Sequence, residues 1–308
     1  MLDLLGKRYL LFGLSLLVII PGLVLLAFTG FPLSIDFSGG SSLEVRFGSG
    51  KYPEPSQVIQ LYESLGIKDT QVTTTGSDIL IIKSTFLDDA TRETLVKEMG
   101  TRFNQQITVL QFDSVGPTIG REVTGRAASA VAVSALAVVL YIAFAFRGVP
   151  HAFRYGICAI IAMLHDVLVV ISISAIGAKL FGWEIDSLFI TALLSVIGYS
   201  VQDKVVVFDR IRENSNIYRK LPFEKLANHS IIQTLQRSIN TQLMTVEYML
   251  LALALFGGVT LREFSVILLI GLFSGTYSSI FIAAPILVVW ENKEWKNWFK
   301  RSEKTSAA

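Results

Sequence analysis

Three stretches of this chain run without a charged side chain for the length of a membrane crossing: Tyr9 to Ile35, Ala127 to Phe146 and Phe264 to Trp290. Each reaches or exceeds the ~20 residues that span a hydrocarbon core. Three further runs, about Tyr155 to Ala178, Ser187 to Phe208 and Ser238 to Thr260, are apolar apart from a few ionisable residues. The chain is 17% charged and 52% hydrophobic, against roughly 25% charged in a soluble domain. The missing charge is concentrated in these runs, which excludes an aqueous globule. The expectation is an α-helical membrane protein of six transmembrane helices.

Lys7 and Arg8 precede the first run as the n-region of a signal peptide would. A signal core is about 7–15 residues and ends at a small-residue site, whereas this stretch continues through Pro21 to Phe28 and Phe31. An uncleaved anchor fits better. Basic residues gather at alternate ends of the spans: Lys7 and Arg8; Arg147 and Arg154; Arg210, Arg212, Arg219, Lys220 and Lys225; Lys293, Lys296, Lys300, Arg301 and Lys304. By the positive-inside rule both termini are expected in the cytoplasm and the segment from Phe31 to Arg126 outside. A net charge of +2 is too small to point to nucleic acid. The single cysteine, Cys158, lies inside the third span and is expected to pack as a small apolar side chain.

Between Phe31 and Val115 the pattern changes to short alternating runs, the mark of a water-soluble unit. Ser42 to Phe47, Gln71 to Thr75, Ile79 to Lys83 and Ile107 to Val115 read as strands. Pro55 to Leu65 and Leu87 to Met99 read as amphipathic helices, the second capped by Asp88 or Asp89. The order β-α-β-β-α-β predicts an α+β, ferredoxin-like extracytoplasmic domain. The expected division is residues 1–30 for the N-terminal end and first helix, 31–122 for this domain, 123–292 for helices two to six, and 293–308 for a cytoplasmic tail. The domain has no histidine, cysteine or phosphate-binding loop, so no catalytic role, cofactor or metal is expected. Its sharpest local feature is Asp36-Phe-Ser-Gly-Gly40. It reads as a turn that needs positive φ or as a surface contacting a partner or a passing polypeptide through Asp36, Phe37, Gly39 and Gly40.

Ionisable residues inside the spans are costly and mark ion or proton paths. Asp203 stands in the fourth span among Val201, Val205, Val206 and Val207, and a short aspartate cannot snorkel far. Arg237 lies at comparable depth on the following helix, at about 1.5 Å per residue, so a charge pair between antiparallel helices is geometrically allowed. Protonation of Asp203 would break it. His165 and Asp166 fall near the middle of the third span and read either as a relay or as a structural hydrogen-bonded pair. Lys204, about 100° round the helix from Asp203, is expected to snorkel to the cytoplasmic interface. Glu247 has no partner identifiable from sequence. Gly271, Gly275, Ser279 and Ala283 form a small-residue stripe on the last span that permits close helix approach.

Taken together, these motifs resemble the SecF family, the smaller partner of SecD in bacterial Sec protein export. The resemblance covers nearly the whole chain. It rests on Asp36-Phe-Ser-Gly-Gly40, Val115-Gly-Pro-Thr-Ile-Gly120, His165-Asp166, Gly198-Tyr-Ser-Val-Gln-Asp-Lys-Val-Val-Val-Phe-Asp-Arg-Ile-Arg-Glu-Asn214, Gln233-Thr-Leu-Gln-Arg-Ser-Ile-Asn-Thr241 and Gly275-Thr-Tyr-Ser-Ser279. It implies an accessory translocase subunit in the cytoplasmic membrane that uses the proton motive force with a SecD-like subunit. Its other implied partners are the SecY/SecE/SecG translocon, exported unfolded polypeptides and membrane lipid. It also implies a membrane fold of the resistance-nodulation-division type, with Asp203 and Arg237 as the proton-responsive pair. Gln202, Lys204 and Glu247 depart from the family pattern, which commonly has Asn, a small hydroxyl residue and an apolar residue there. The alternatives are a proton-coupled exporter of small molecules or lipids from the same superfamily, and a structural scaffold. The first is disfavoured by the small external domain; the second would leave Asp203 and Arg237 dispensable.

Overall fold

A computed structural model describes residues 3–48, 50–75, 78–147, 152–242 and 248–298. The chain divides into two compact units. One comprises Met1–Pro32, Ala130–Trp183 and Leu188–Ala308, and the other Leu33–Ser129 with Glu184–Ser187.

The second unit opens with a short helix, α2 (Ile35–Ser38), whose cap Ser34 accepts a hydrogen bond from the Asp36 N–H. There follow β1 (Gly40–Phe47), α3 (Pro55–Ser64), β2 (Gln71–Thr75), β3 (Ile79–Ser84), α4 (Asp89–Phe103) and β4 (Ile107–Val115). The strands form one antiparallel sheet in the order β2-β3-β1-β4. A strand turns alternate side chains to opposite faces. Leu43, Val45 and Phe47 of β1 and Leu80 and Ile82 of β3 therefore enter one core with Val58, Leu61 and Tyr62 of α3 and Leu95 and Met99 of α4. Burying such side chains contributes about 1.5–3 kcal/mol each. The register between β1 and β4 shifts at Glu44/Val45, a bulge that adds twist to the pair.

The start of α4 is capped by Asp88, whose carboxylate accepts the Thr91 N–H at 2.9 Å. The Thr91 side chain and backbone N–H hold this carboxyl below its ordinary value. A carboxyl depressed in the folded state favours folding above its unfolded value near pH ~4 and loses that contribution as pH falls. Acidification through that range is predicted to lower the amide protection factors, corrected for intrinsic exchange, in the first turn of α4 before those of the sheet change.

In the first unit α1 spans Arg8–Thr29. It is followed by α5 (Pro117–Ala145, which starts within the second unit), α6 (Ala152–Phe181), α7 (Ser187–Ile217), α8 (Phe223–Gln242), α9 (Tyr248–Phe256) and α10 (Val259–Ser278). A π-helical turn at Ser279–Ala283 joins α10 to α11 (Ala284–Glu291). Among the described residues, five helices are long and apolar enough to cross a membrane: α1, α5, α6, α7 and the run Leu261–Glu291. The protein is a multi-pass membrane protein, mostly helical with a small antiparallel sheet. The predicted span from Ser238 to Thr260 falls on the end of α8 and on α9. Residues 243–247 between them, Glu247 included, lie outside the described residues. Cys158 is buried in α6 as a free thiol.

Close approach sets the helix packing. Gly22 of α1 lies against the backbone and hydroxyl of Ser172 on α6, leaving no room for a Cβ, and Ser172 Oγ donates to Val18 O at 2.8 Å. Gly271 of α10 meets the Val196 side chain of α7, and a Cβ on Gly275 would lie 3.4 Å from Ser200 Cα. The small-residue stripe is thus where α10 packs on α7. At the start of α1 the Arg8 guanidinium bridges Glu224 (2.6 Å) and Glu294 (2.7 Å). Replacing Gly22 with Val is predicted to force α1 off α6. Lower thermal stability in detergent should report it, whereas Gly13→Val, where a Cβ meets nothing within 4 Å, should leave stability unchanged.

Candidate functional site

Among the described residues the deepest ionic group lies where α6, α7 and α10 meet. Asp166 and Lys204 both have fully buried side chains, and Lys204 Nζ lies 2.7 Å from Asp166 Oδ2. The hydroxyls of Ser200 and Ser278 donate to the same oxygen, each at 2.7 Å. Ser274 donates to Oδ1 at 2.7 Å, and His165 Nδ1 stands 3.1 Å from it. Lys204 also donates to the carbonyl oxygen of Ser200 at 3.1 Å and to the Ser200 hydroxyl. Helical spacing assembles the cluster: Ser200 and Lys204 are four apart on α7, and Ser274 and Ser278 four apart on α10, so each pair shares a face. An ionised carboxylate only accepts hydrogen bonds and offers about four lone-pair sites. The ammonium of Lys204, the His165 ring and three serine hydroxyls together give both Asp166 oxygens hydrogen-bond partners.

The expectation that Lys204 snorkels to the interface is corrected here. Its ammonium is wholly buried and points inward to Asp166, because an opposite charge held in place by four further polar partners in a low-dielectric interior outweighs the pull of the distant interface.

Asp203, the preceding residue, faces another interface. Its Oδ1 accepts from Ser238 of α8 at 3.0 Å and its Oδ2 from Ser279 of the π turn at 3.1 Å. It is 7% exposed. Asp203, Arg237, Ser238, Tyr199, Gln202, Val206 and Thr241 line a cavity of about 100 Å³. Arg237 is exposed and makes no ion pair among the described residues. The structure thus brings Asp203 and Arg237 to one cavity with the charge pair open, and Asp203 is held by hydroxyls instead. Adjacent residues serve the two acids on both helices. Lys204 and Ser278 meet Asp166, while Asp203 and Ser279 form a separate contact, and the π turn begins at Ser279. Such turns recur at functional sites.

One turn before Arg237 on α8, Gln233 ties that helix to α7. Asn214 Nδ2 donates to Gln233 Oε1 (2.9 Å) and Ser230 Oγ (2.8 Å), and Arg210 Nε donates to Gln233 Oε1 (2.7 Å). Sequence reasoning missed this anchor and the Asp166–Lys204 pair. The available signal was the spacing of Ser200 with Lys204 and Ser274 with Ser278, polar pairs on otherwise apolar helices.

The Asp36 to Gly40 segment is a packed turn. Phe37 and Gly40 are buried, and Asp36 Oδ2 accepts from the backbone N–H (3.0 Å) and hydroxyl (2.7 Å) of Ser187. Gly39 has φ 74°, a conformation open to glycine, and a Cβ on Gly120 would lie 2.9 Å from Gly39 N. Phe37 and Gly40 are thus packed inside this crossing, while Asp36 and Gly39 are partly exposed.

Apolar spanning helices that enclose paired and hydroxyl-held acids, joined to a small α/β unit, define a membrane protein with an ionisable core. Two families match the chain: Protein export membrane protein SecD/SecF, C-terminal, over residues 95–293, and the SecD/SecF GG Motif over residues 24–50. Protein translocase subunit SecF of Anaerolinea thermophila is 70% identical over 308 residues, with each chain fully covered. Its counterpart in Thermobaculum terrenum is 45% identical, again with full coverage of both. The crystal structure of SecDF, a translocon-associated membrane protein from Thermus thermophilus, superposes with a TM-score of 0.81 at 33% identity. It covers 94% of this chain, and this chain spans 39% of the SecDF chain. The chain belongs to the SecF family of protein translocase subunits.

Removing one partner of a buried ion pair costs about 3–5 kcal/mol, because the remaining charge is left uncompensated. Asp166→Asn is therefore predicted to lower the thermal stability of the detergent-solubilised chain by about that amount, whereas Asp209→Asn, on the exposed part of α7, should change it by less than ~0.5 kcal/mol.

Proposed function

We propose that this chain works with a SecD-like subunit to promote late steps of polypeptide export, and that Asp203 takes up and releases the proton that drives it. The observation that carries this reading is the contrast between the two buried acids. Asp166 is saturated by an ammonium and hydroxyls, while Asp203 holds two hydroxyl contacts and borders a cavity that also holds Arg237. A hydroxyl accepts as readily as it donates, so Ser238 and Ser279 can accommodate Asp203 in either charge state. The ionised state attracts the Arg237 guanidinium across the cavity and the neutral state releases it, giving two packings of α7 against α8 that a proton gradient can drive between. In this reading Asp166 and His165 belong to the fixed part of the path rather than to the exchanging part.

Several features support the wider reading. Ser238 to Thr260 is taken as a sixth span. The β2-β3-β1-β4 order is that of a ferredoxin-like split βαβ unit, assigned to residues 31–122 outside the membrane, with both termini in the cytoplasm. The outward faces of α1 and α5 are apolar, Leu17 and Val133 being more than half exposed. Relatives in Thermus thermophilus and Bacillus subtilis are named SecDF and match this chain over 35% and 39% of their length, which supports a SecD-like partner on those faces. The SecY/SecE/SecG channel and the exported chain complete the proposed assembly.

The test is Asp203→Asn in cells that depend on this subunit. Export should fall to the level of cells lacking the subunit, while the variant still inserts and co-purifies with its SecD-like partner. Normal export in that variant would contradict the proposal, and export that follows a sodium gradient while ignoring the proton gradient would overturn the choice of ion.

A further inference from the structure

The Asp166 cluster has a chemistry that the proton reading does not use. Every atom within hydrogen-bond distance of Lys204 Nζ is an oxygen: Asp166 Oδ2, the Ser200 carbonyl and the Ser200 hydroxyl. Ser274 and Ser278 brace the carboxylate from α10. Oxygen donors of this kind are the ligand set of hard cations, and a lysine ammonium is a compact point charge. One carboxylate supplies one negative charge, so the set balances a monovalent ion.

A cavity borders the cluster. It has a volume of about 330 Å³ and is lined by His165, Ser274, Tyr277, Ser15 and apolar side chains, and both His165 and Ser274 touch the Asp166 carboxylate. The His165 side chain is 10% exposed and its Nε2 is buried without a hydrogen-bond partner among the described residues.

We propose that Lys204 is a tethered counter-cation closing an oxygen-lined site for a small alkali cation, so that its ammonium occupies the place a sodium ion would take. The titratable and charged groups around the site are Asp166 and His165 from α6, Lys204 from α7 and, stacked on His165, Tyr277 from α10, which also contributes the Ser274 and Ser278 hydroxyls. Asp203, next to Lys204, turns to Ser238 and Ser279 instead. Lys204 thereby sets ion selectivity: with it in place the Asp166 site binds no free cation. The claim stands apart from the proton reading, since its readout is ion binding by the purified chain and not export.

The experiment compares the full chain with Lys204→Ser in detergent, melted in sodium chloride and in choline chloride at equal ionic strength and fixed neutral pH. The parent chain should melt at the same temperature in both. The serine variant should melt higher in sodium, with its midpoint rising about 2–4 °C per tenfold increase in sodium above saturation, as single-site binding to the folded state requires. The Asp166→Asn, Lys204→Ser double variant should lose that dependence. Equal melting of the serine variant in the two salts overturns the proposal, as does rescue by acid in choline without rescue by sodium, which would place a proton on Asp166. Failure of the serine variant to fold in sodium buffer also overturns it, because sodium then does not replace the ammonium.

Discussion

The Asp166–Lys204 pair is the constraint around which the membrane unit is organised. Two unit charges at 2.7 Å in a low-dielectric interior attract strongly, but each has lost its hydration, a penalty of several kcal/mol per ion. The pair is tolerated because Ser200, Ser274, Ser278 and His165 replace the lost water around it. Those residues come from α6, α7 and α10, so the cost of separating any one helix includes exposing a half-satisfied charge. The glycines of α10 serve the same end. Gly271 and Gly275 let α10 approach α7 closely, while Ser274 and Ser278 of the same helix reach the Asp166 carboxylate on α6.

With Asp166 held by the ammonium, Asp203 is the acid to which we assign the proton. Asp203 and Lys204 are neighbours on α7 yet face different partners, because successive helical residues point about 100° apart. The π turn at Ser279–Ala283 performs the matching division on the opposite helix, with Ser278 facing one acid and Ser279 the other. A fixed anion beside a hydroxyl-held acid gives the bundle a part that stays and a part that can respond. Gln233, tied to Asn214 and Arg210, holds the α7–α8 pair together one turn from Arg237.

Much of this was legible in the sequence, for physical reasons that differ by region. Long charge-free runs have few alternatives to helices, and the alternation in Ser42 to Phe47 and Ile79 to Lys83 marks strands because one face of each is buried. That Asp203, His165 and Asp166 would need polar partners was visible from the cost of charge in apolar surroundings. The direction of Lys204 was not. A lysine four carbons long reaches either the interface or an interior acid, and only the packing of α6 against α7 decides which. The open state of Asp203 and Arg237 was likewise out of reach, since depth along two helices sets what is possible and rotation about their axes sets what is made.

The central claim is that Asp203, and not Asp166, carries the exchangeable proton. Infrared difference spectroscopy of the reconstituted protein across a pH step reads the carbonyl stretch of a protonated carboxyl directly. The account predicts one such band that appears on acidification, is absent from Asp203→Asn and persists in a variant that alters His165. A band that survives Asp203→Asn unchanged would contradict it.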